Sequence, residues 1–311
     1  MNLRFVDAAS IAACTSYLGL VEHMRQAHAK PPPDVERVLM QERSAAGIDN
    51  SFLIWPAWQH GGALGIKICT LFPGNVRQPT VQALYALFDG EHGSPQALLD
   101  GTEMTYWKTA ADSALGADFL ARGDARSLLV VGAGSMAPHM VRAYRAIRPG
   151  LERVMVWNRT PERARSLAQH MPKEAIEVVH DLQTAVQSAD IVCCVTASGT
   201  PLIQGAWLQE GTHVDLIGGY TPAMREADDE AMRRARIFVD SRWFTVEHVG
   251  DLTQPIANGV ITRSDVLGDL FDLCCARVSG RKHARDITVF KSGGGAHLDL
   301  MTAQYIAAQL L

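Results

Sequence analysis

A glycine-rich segment in the middle of the chain has the residue types and spacing of a phosphate-binding turn. It reads GAGSMA from Gly132 to Ala137, directly after the apolar run SLLVV, and fits the pattern G-x-G-x-x-G/A. In this pattern the first glycine permits a tight turn, the second lets the backbone approach a pyrophosphate, and the last small residue allows close helix packing. The N-terminus of that helix offers unpaired N–H groups to the phosphates. The residues predicted to contact a dinucleotide here are Gly132, Gly134, Ser135, Met136 and Ala137.

The end of the next strand indicates which dinucleotide is bound. NAD-binding proteins place Asp or Glu there to hold the ribose 2′-hydroxyl, whereas this chain reads VWNRTPERA. A carboxylate would repel a 2′-phosphate, but a guanidinium binds it through charge-assisted hydrogen bonds. The pattern favours NADPH and leaves NADH open as a second cofactor, although a solvated arginine at a helix start is the alternative interpretation of Arg159. The residues predicted to line this part of the site are Asn158, Arg159, Thr160 and Arg163.

Two later loops complete the predicted cofactor site, because loops at the carboxyl ends of parallel strands line the ligand crevice of such sheets. VTASGTP follows an apolar strand, which makes Thr196, Ala197 and Ser198 candidates for ribose or nicotinamide contacts. A serine-rich turn without a ligand stays open as the alternative. FKSGGG follows the last strand, and its Ser292 is the candidate contact to the nicotinamide amide. Asp299 lies on the helix after this loop and has two equal interpretations, a residue of the site or a negative charge that stabilises the N-terminus of the helix.

Strands alternate with helices around these loops. Apolar strands are predicted at residues 127–131, 154–156, 176–179, 191–195 and 213–217, with further strands at 237–239 and 287–290. This alternation predicts right-handed βαβ units and a parallel sheet. The strands are apolar on both faces, as expected where helices cover both sides. The acidic residues around Asp228, Glu226 among them, are interpreted mainly as a solvated helix start. The predicted fold class is therefore α/β, a Rossmann-type doubly wound parallel sheet.

The first 110 residues follow a different pattern. An amphipathic helix precedes three consecutive prolines, and DGEHGSP has the composition of a hairpin-like turn. Strands are predicted at residues 37–41, 51–55, 65–71 and 82–88. A helical pattern over residues 105–120 leads into the glycine-rich segment, and an apolar-faced helix over 298–311 ends the chain. The chain therefore has two parts with different organisation.

Composition excludes several classes of protein. The 311 residues carry a net charge of −4, which gives no reason to expect a nucleic-acid partner or an anionic membrane surface. No apolar run reaches the roughly 18 residues typical of a membrane span, and MNLRFVDAAS lacks the pattern of a secretory signal. The six cysteines show no CxxC spacing, so neither a disulfide framework nor a metal site is expected. We therefore expect a cytoplasmic protein with buried thiols.

Seven sequence blocks, taken in order, resemble the ornithine cyclodeaminase/mu-crystallin family over nearly the whole chain. The blocks are GIKICTLFPGN, DGTEMTYWKTAADSALGADFLA, VGAGSMA, NRTPERA, ADIVCCVTASGTP, EGTHVDLIGGYTPAMRE and ITVFKSGGGAHLD. The resemblance implies a homodimer in which a Rossmann domain is inserted into an α+β substrate-binding and dimerisation domain. It assigns residues 1–113 plus 292–311 to the substrate and dimerisation domain and residues 114–291 to the NAD(P)-binding Rossmann domain.

The resemblance also assigns the residues that hold the substrate. A carboxylate-binding arginine of the family corresponds to Arg37, with Arg43 as the alternative, and the lysine of its G-x-K segment corresponds to Lys67. The T-x-x-R-T-A-A motif carries Lys108 in place of its arginine, which keeps the charge but loses the bidentate fork. Tyr220, also assigned to the substrate site, replaces the aspartate that serves amine chemistry in cyclodeaminases. Loss of that carboxylate favours a reductase.

These departures are similar to those of the Δ1-pyrroline-2-carboxylate (ketimine) reductase branch. That branch implies an oxidoreductase acting on CH–NH groups, in which NADPH reduces a small cyclic imino acid. The expected reactions are Δ1-pyrroline-2-carboxylate to proline and Δ1-piperideine-2-carboxylate to pipecolate. Arg37, Lys67 and Lys108 would hold the carboxylate, and Lys67 is also the predicted catalytic proton donor, since a lysine inside GIKIC is expected to be buried. Two other activities in the family stay open: an NAD-dependent ornithine cyclodeaminase and a mu-crystallin-like NADPH-dependent ligand-binding protein.

Overall fold

The computed structural model describes residues 3–43, 47 and 49–310, which divide into two compact units. The first unit comprises Met1–Lys108 and Gly295–Leu311, and the second comprises Thr109–Gly294. The chain passes from the first unit to the second within one helix and returns at Gly295. Each unit has its own β-sheet.

The first unit contains a seven-stranded sheet. Its strands are β1 (Arg4–Val6), β2 (Asp34–Val35), β3 (Val38–Arg43), β4 (Asp49–Trp58), β5 (Ala63–Leu71), β6 (Val81–Asp89) and β7 (Pro95–Asp100). They lie in the order β1-β7-β6-β5-β4-β2, with β3 paired to β4. The pairings of the described strands are antiparallel, apart from the parallel pairing of β1 with β7. Buried and partly buried residues alternate along most of β5, so the two faces of the sheet have different surroundings.

The described residues of the first unit also form helices. They are α1 (Ala8–Cys14), α2 (Tyr17–His28), the first part of α3 (Gly101–Leu120) and α11 (Ala296–Leu310). Asp7 and Ser16 cap α1 and α2, because their side chains accept hydrogen bonds from backbone N–H groups in the first turn. Helix α11 contacts α2 and strands β4, β5 and β6. Its residues 296–303 are all buried, the polar His297, Asp299 and Thr302 among them.

The second unit contains an eight-stranded sheet in which all the described pairings are parallel. Its strands are β8 (Ser127–Val131), β9 (Arg153–Trp157), β10 (Ile176–Val178), β11 (Ile191–Cys194), β12 (His213–Leu216), β13 (Arg236–Val239), β14 (Val266–Asp269) and β15 (Thr288–Lys291). Their order is β10-β9-β8-β11-β12-β15-β13-β14. Its helices after α3 are α4 (Ala137–Ile147), α5 (Pro161–His170), α6 (Leu182–Ser188), α7 (Asp229–Arg234), α8 (Arg242–Thr245), α9 (Gly250–Ala257) and α10 (Leu270–Cys274). The α/β, Rossmann-type fold class is confirmed.

The central strands of this sheet direct the cofactor loops to one edge. Strand β8 is buried along its whole length and lies between β9 and β11. Burial on both faces explains why its sequence is apolar without alternation. Since parallel strands end at the same edge, the loops that follow β8, β9, β11, β12 and β15 all emerge there.

The helices of the described ranges are short or polar. No helix in them is long and apolar enough to cross a membrane. The same ranges contain no group of three or more His, Cys, Asp or Glu side chains that could hold a metal ion. Cys69, Cys193 and Cys194 are buried free thiols.

Candidate functional site

The glycine-rich segment of the second unit forms the turn between β8 and α4. Gly132 has a φ of +117°, and a Cβ there would lie 2.8 Å from the carbonyl oxygen of Val195. By contrast, a Cβ at Gly134 would meet no described atom within 4 Å. Ala137 is fully buried where α4 begins, and Met136 gives that helix no side-chain cap. A left-handed first glycine, an open second glycine and an uncapped helix end are the features that a pyrophosphate site requires.

Asn158 connects this turn to the end of β9. Its Oδ1 atom accepts a hydrogen bond from the backbone N–H of Ala133 (3.1 Å). Its Nδ2 group donates a hydrogen bond to the carbonyl oxygen of Thr160 (2.8 Å). Asn158 occupies the position of the ribose-binding acid of NAD-binding proteins, and its side-chain amide holds the glycine turn in place.

Two arginines follow Asn158 at the surface. Arg159 and Arg163 are both exposed, and their guanidinium groups form no ion pair with any residue in the described ranges. Arg165, on the same helix as Arg163, pairs instead with Glu162 at 2.8 Å. Two guanidinium groups without an ion-pair partner among the described residues thus follow the strand end that contacts the ribose in this class of fold.

A buried carboxylate joins two loops at the carboxyl edge of the sheet. The Oε1 atom of Glu226 accepts hydrogen bonds from the backbone N–H (2.7 Å) and the hydroxyl (2.9 Å) of Thr196, which follows β11. Its Oε2 atom accepts one from the N–H of Gly218 (2.7 Å), which follows β12. Burial raises the pKa of Glu226, while the ammonium of Lys291 lowers it. The predicted cofactor loop that begins at Thr196 is therefore anchored by Glu226.

The interpretation of Glu226 as part of a solvated helix start is wrong, because this residue has no exposed surface. The same interpretation fits Asp228, whose side chain accepts a hydrogen bond from the N–H of Ala231 and so begins α7. Glu226 is buried by loops that lie 8 and 30 residues away along the chain. Local sequence therefore gave no signal for its role.

An ion pair lies beside Glu226. The Nζ atom of Lys291 lies 3.2 Å from Oδ2 of Asp251, and both residues are fully buried. The Oδ1 atom of Asp251 accepts hydrogen bonds from the backbone N–H groups of Glu226 (2.8 Å) and Ala227 (3.2 Å). A Cβ at Gly219 would lie 2.7 Å from Oδ2, so this position requires glycine. This pair was not predicted, although a lysine at the end of an apolar strand was a usable signal.

Glu226→Gln is expected to lower the free energy of unfolding by about 1–3 kcal/mol. The NH2 group of the glutamine would face a backbone N–H group that donates a hydrogen bond to the carboxylate in the wild type, and two donors cannot pair. Urea unfolding followed by circular dichroism measures this change. The control is Glu230→Gln on α7, where the side chain is partly exposed and pairs with Arg233. Equal, small effects of the two substitutions would show that Glu226 does not anchor the loops.

Asp240 holds the glycine loop that follows β15. Its Oδ2 atom accepts hydrogen bonds from the N–H groups of Gly293 (2.9 Å) and Gly294 (2.6 Å), and the hydroxyl of Thr245 donates to Oδ1. Burial raises the pKa of Asp240 to about 6. Ser292, the predicted nicotinamide contact, is almost fully buried at the start of this loop. Asp240 was also missed, since it acts on residues more than fifty positions away.

The first unit contains two buried lysines that share one carboxylate. Lys67 lies on β5, Lys108 on α3 and Asp299 in the first turn of α11. The Oδ1 atom of Asp299 lies 3.4 Å from Nζ of Lys67 and 3.1 Å from Nζ of Lys108. The exposed fractions of Lys67, Lys108 and Asp299 are 5 %, 4 % and 0 %. These three residues, called the lysine cluster below, bring together two of the predicted substrate ligands.

The surroundings of Lys67 favour release of its proton. Its ammonium donates a hydrogen bond to the hydroxyl of Thr105 (2.7 Å), which in turn donates to the carbonyl oxygen of Gly101. Burial lowers the pKa of Lys67 below its usual value; Asp299 opposes this shift, and Lys108 adds to it. A lysine with a lowered pKa is a better general acid near neutral pH than a solvated one.

Aromatic residues flank Lys67 on the neighbouring strands. Trp55 on β4 and Tyr85 on β6 lie opposite Lys67 in the sheet register, and therefore on the same face. The Trp55 Nε1 atom and the Tyr85 hydroxyl are buried and have no hydrogen-bond partner among the described residues. A Cβ at Gly65 would lie 2.2 Å from the Tyr85 hydroxyl oxygen, so Gly65 makes room for this ring. Lys67 thus lies between two large side chains whose buried polar atoms have no hydrogen-bond partner among the described residues.

Three other assigned substrate residues are at the surface. Arg37 precedes β3 and is exposed, and Arg43, the alternative, is exposed at the end of β3. Tyr220 belongs to the second unit, follows Gly219 and is 55 % exposed. Their roles in substrate binding stay predictions.

Comparison with known proteins gives an independent finding. The sequence model of the ornithine cyclodeaminase/mu-crystallin family matches residues 12–311. A protein of Paracoccus denitrificans named Δ1-pyrroline-2-carboxylate reductase is 46 % identical over 308 residues, which cover 98 % of this chain and 96 % of that protein.

Solved structures agree with this result. The Thermococcus litoralis Δ1-pyrroline-2-carboxylate reductase in complex with NADH and L-proline has a TM-score of 0.91 and 27 % identity, covering 99 % of this chain and 97 % of that one. The iminosuccinate reductase of Paracoccus denitrificans in complex with NAD+ has a TM-score of 0.89 and 26 % identity, covering 99 % and 96 %. These two solved proteins are thus reductases in complex with a nicotinamide cofactor.

Proposed function

The chain belongs to the ornithine cyclodeaminase/mu-crystallin family, and we propose that within it the protein is an oxidoreductase that reduces the C=N bond of a cyclic imino acid. The proposed reaction converts Δ1-pyrroline-2-carboxylate to proline with NADPH, with Δ1-piperideine-2-carboxylate to pipecolate as a second reaction. The lysine cluster carries the proposal, because a small carboxylate substrate needs buried cations and its imine needs a proton. The 46 % identity to a relative named for the first reaction supports this choice of substrate.

The lysine cluster supplies the proposed chemistry of the first unit. The substrate carboxylate binds the ammonium groups of Lys67 and Lys108 through charge-assisted hydrogen bonds. Lys67 then gives a proton to the imine nitrogen, since the C=N carbon accepts a hydride readily only when the nitrogen is protonated. When bound, the reduced nicotinamide supplies that hydride. Lys67 regains its proton from solvent, and Arg37 and Tyr220 are kept as proposed further contacts to the substrate.

The second unit is proposed to hold the cofactor. The open glycine turn fits a pyrophosphate, and the uncommitted guanidinium groups of Arg159 and Arg163 support NADPH as the preferred cofactor, with NADH also accepted. Relatives solved with NADH and with NAD+ support the cofactor class. The proposed ribose and nicotinamide contacts are Thr196, Ala197, Ser198 and Ser292.

Consumption of NADPH in the presence of Δ1-pyrroline-2-carboxylate, with chromatographic identification of proline, tests this function. Absence of turnover with both imino acids would contradict it.

The buried thiols of Cys69, Cys193 and Cys194 suit a reducing compartment, and we propose that the protein acts in the cytoplasm.

The protein is also proposed to form a homodimer through the sheet of the first unit. Residues along a strand alternate between faces, so Trp58, Leu64, Ile66 and Phe88 lie on the face opposite to Lys67. They line an apolar cavity of about 440 Å³. Strand β3 beside it is exposed along its whole length, including three apolar residues at 38–40. An open apolar face of this kind supports association with a second copy.

Trp58→Glu is expected to weaken this dimer by about 30-fold or more, the effect of losing a central aromatic contact. Trp58 is 49 % exposed, so the substitution should leave the monomer folded. Analytical ultracentrifugation measures the dissociation constant. Val76→Glu, at a residue that is 96 % exposed in the loop after β5, is the control. A wild-type monomer, or a Trp58→Glu variant that dimerises normally, would contradict the proposed interface.

A further inference from the structure

We propose that Asp299 is a positioning residue that sets the charge of the substrate site, so that the enzyme selects imino acids with one carboxylate over those with two. The inference rests on the proposed function, because it requires the substrate carboxylate to bind the lysine cluster. It goes further by assigning a role to Asp299 and a substrate class to the site.

The geometry places Asp299 beneath the two lysines. Its Oδ1 atom lies within 3.4 Å of both ammonium groups, and its Oδ2 atom has no hydrogen-bond partner among the described residues. Asp299 has no exposed surface, whereas the side chains of Lys67 and Lys108 retain 7 % and 5 %. A substrate therefore reaches the ammonium groups first, and Asp299 acts on it through them.

The other ionisable groups around the cluster are neutral near neutral pH. Burial raises the pKa of the Cys69 thiol on β5 and of the Tyr85 phenol on β6. Burial lowers the pKa of two imidazoles, to about 4 for His28 on α2 and well below the usual value for His297 on α11 itself. The pKa of His23 is lowered for the same reason.

The charge of the buried part of the site then follows from the lysine cluster, because Arg37 is exposed and its charge faces solvent. Two ammonium groups and one carboxylate leave one positive charge. A substrate with one carboxylate neutralises that charge, whereas a second carboxylate would add a negative charge without a buried partner. Unpaired or like charges are strongly disfavoured in a desolvated site, so this difference is large enough to decide specificity.

The test compares Δ1-pyrroline-2-carboxylate with Δ1-pyrroline-2,5-dicarboxylate, which adds one carboxylate to the same ring. Wild-type enzyme is expected to prefer the monocarboxylate by at least about tenfold in kcat/KM, the ratio that 1.4 kcal/mol produces. In Asp299→Asn the preference should fall by at least about tenfold, because the loss of one negative charge leaves room for a second carboxylate.

The pH dependence gives a second readout. Asp299 raises the pKa of Lys67, so its removal lowers that pKa further. If protonated Lys67 is required, activity falls as pH rises through this pKa. The fall should therefore begin at lower pH in Asp299→Asn than in the wild type, and the substrate ratio is measured on the acid side of it.

Two further variants separate charge from structure. Asp299→Glu keeps the charge and should restore the preference for the monocarboxylate. Thr302→Val removes a buried hydroxyl that bonds to Leu298 on the same helix and should leave the preference unchanged.

The outcomes distinguish the inference from the proposed function. Wild-type enzyme that reduces neither substrate overturns the proposed function and the inference with it. Wild-type enzyme that reduces both equally well overturns only the inference, a result that needs no variant to fold. If Asp299→Asn lowers kcat/KM equally for both substrates and leaves the pH profile unchanged, Asp299 has a structural role only.

Discussion

Replacement of Lys67 by methionine is expected to lower kcat/KM for Δ1-pyrroline-2-carboxylate by about 10³-fold, within the range that loss of a general acid produces. The variant loses a cation for the substrate carboxylate and the proton for the imine nitrogen, while the aliphatic part of the side chain is kept. Steady-state assays that follow NADPH absorbance measure the loss. Binding of NADPH, followed by its fluorescence, should be unchanged, because Lys67 belongs to the first unit and the proposed cofactor residues belong to the second.

Lys67→Arg separates the two roles of this residue. A guanidinium keeps the positive charge but does not release its proton in proteins. We expect a small change in KM and a fall of about 10²-fold in kcat. In the wild type, kcat/KM should decrease as pH rises through the pKa of Lys67, which burial places below that of an ordinary lysine. This decrease should be absent in Lys67→Arg.

A matched substitution at an exposed lysine controls for these effects. Lys30→Met, in the same unit and at the surface, should leave kcat and KM unchanged. A Lys67→Met variant with normal kcat and a raised KM would make Lys67 a binding residue and would assign the proton to another group.

Arg159→Asp is expected to weaken NADPH binding by about 10²-fold or more, because it replaces a charge-assisted hydrogen bond by repulsion of the 2′-phosphate. NADH lacks that phosphate, and an acid at this position suits the ribose 2′-hydroxyl, so the affinity for NADH should be unchanged or improved. Fluorescence titration with each cofactor gives the ratio of dissociation constants. This ratio, rather than either affinity alone, reports the role of Arg159.

Arg165→Asp is the control for charge reversal on the same helix. Arg165 is exposed like Arg159, but its guanidinium pairs with Glu162. The Arg165→Asp variant should bind NADPH and NADH only slightly more weakly than the wild type, and to the same extent for both cofactors. If Arg159→Asp also affected both cofactors equally, the 2′-phosphate would have to be bound elsewhere.

Much of the second unit could be predicted from local sequence. The run SLLVV forms β8 as expected, because a strand covered on both faces must be apolar throughout. Helix α5 begins at Pro161 as predicted, although the Thr160 side chain makes no capping hydrogen bond. Strand β14 was missed because its four residues, VLGD, have no strand pattern of their own and extend only through pairing with β13.

The first unit was harder to predict because its pairings are less regular. Strand β1 has only three residues and pairs with β7, whose residues lie more than ninety positions away. Neither strand was predicted. Helix α3 begins at Gly101, four residues earlier than its periodicity indicated, because the Asp100 carboxylate accepts hydrogen bonds from the N–H groups of Thr102 and Glu103.

The site shows the same division between local and distant information. The glycine turn and the burial of Lys67 follow from residues within a few positions of each other. The pairing of Lys67 with Asp299 spans 232 residues, and the hydrogen bonds that Thr196 donates to Glu226 span 30. Such contacts depend on how strands and helices pack, so no pattern in one segment indicates them.

Reduction of an imino acid, rather than cyclisation of ornithine, is the claim that one paired assay tests most directly. The protein is incubated with NADPH and Δ1-pyrroline-2-carboxylate, and in parallel with NAD+ and ornithine. We predict one NADPH oxidised for each proline formed in the first reaction, and no ammonia in the second. Ammonia released from ornithine without any imine reduction would contradict the claim and would show that Tyr220, in place of an aspartate, does not prevent cyclodeamination.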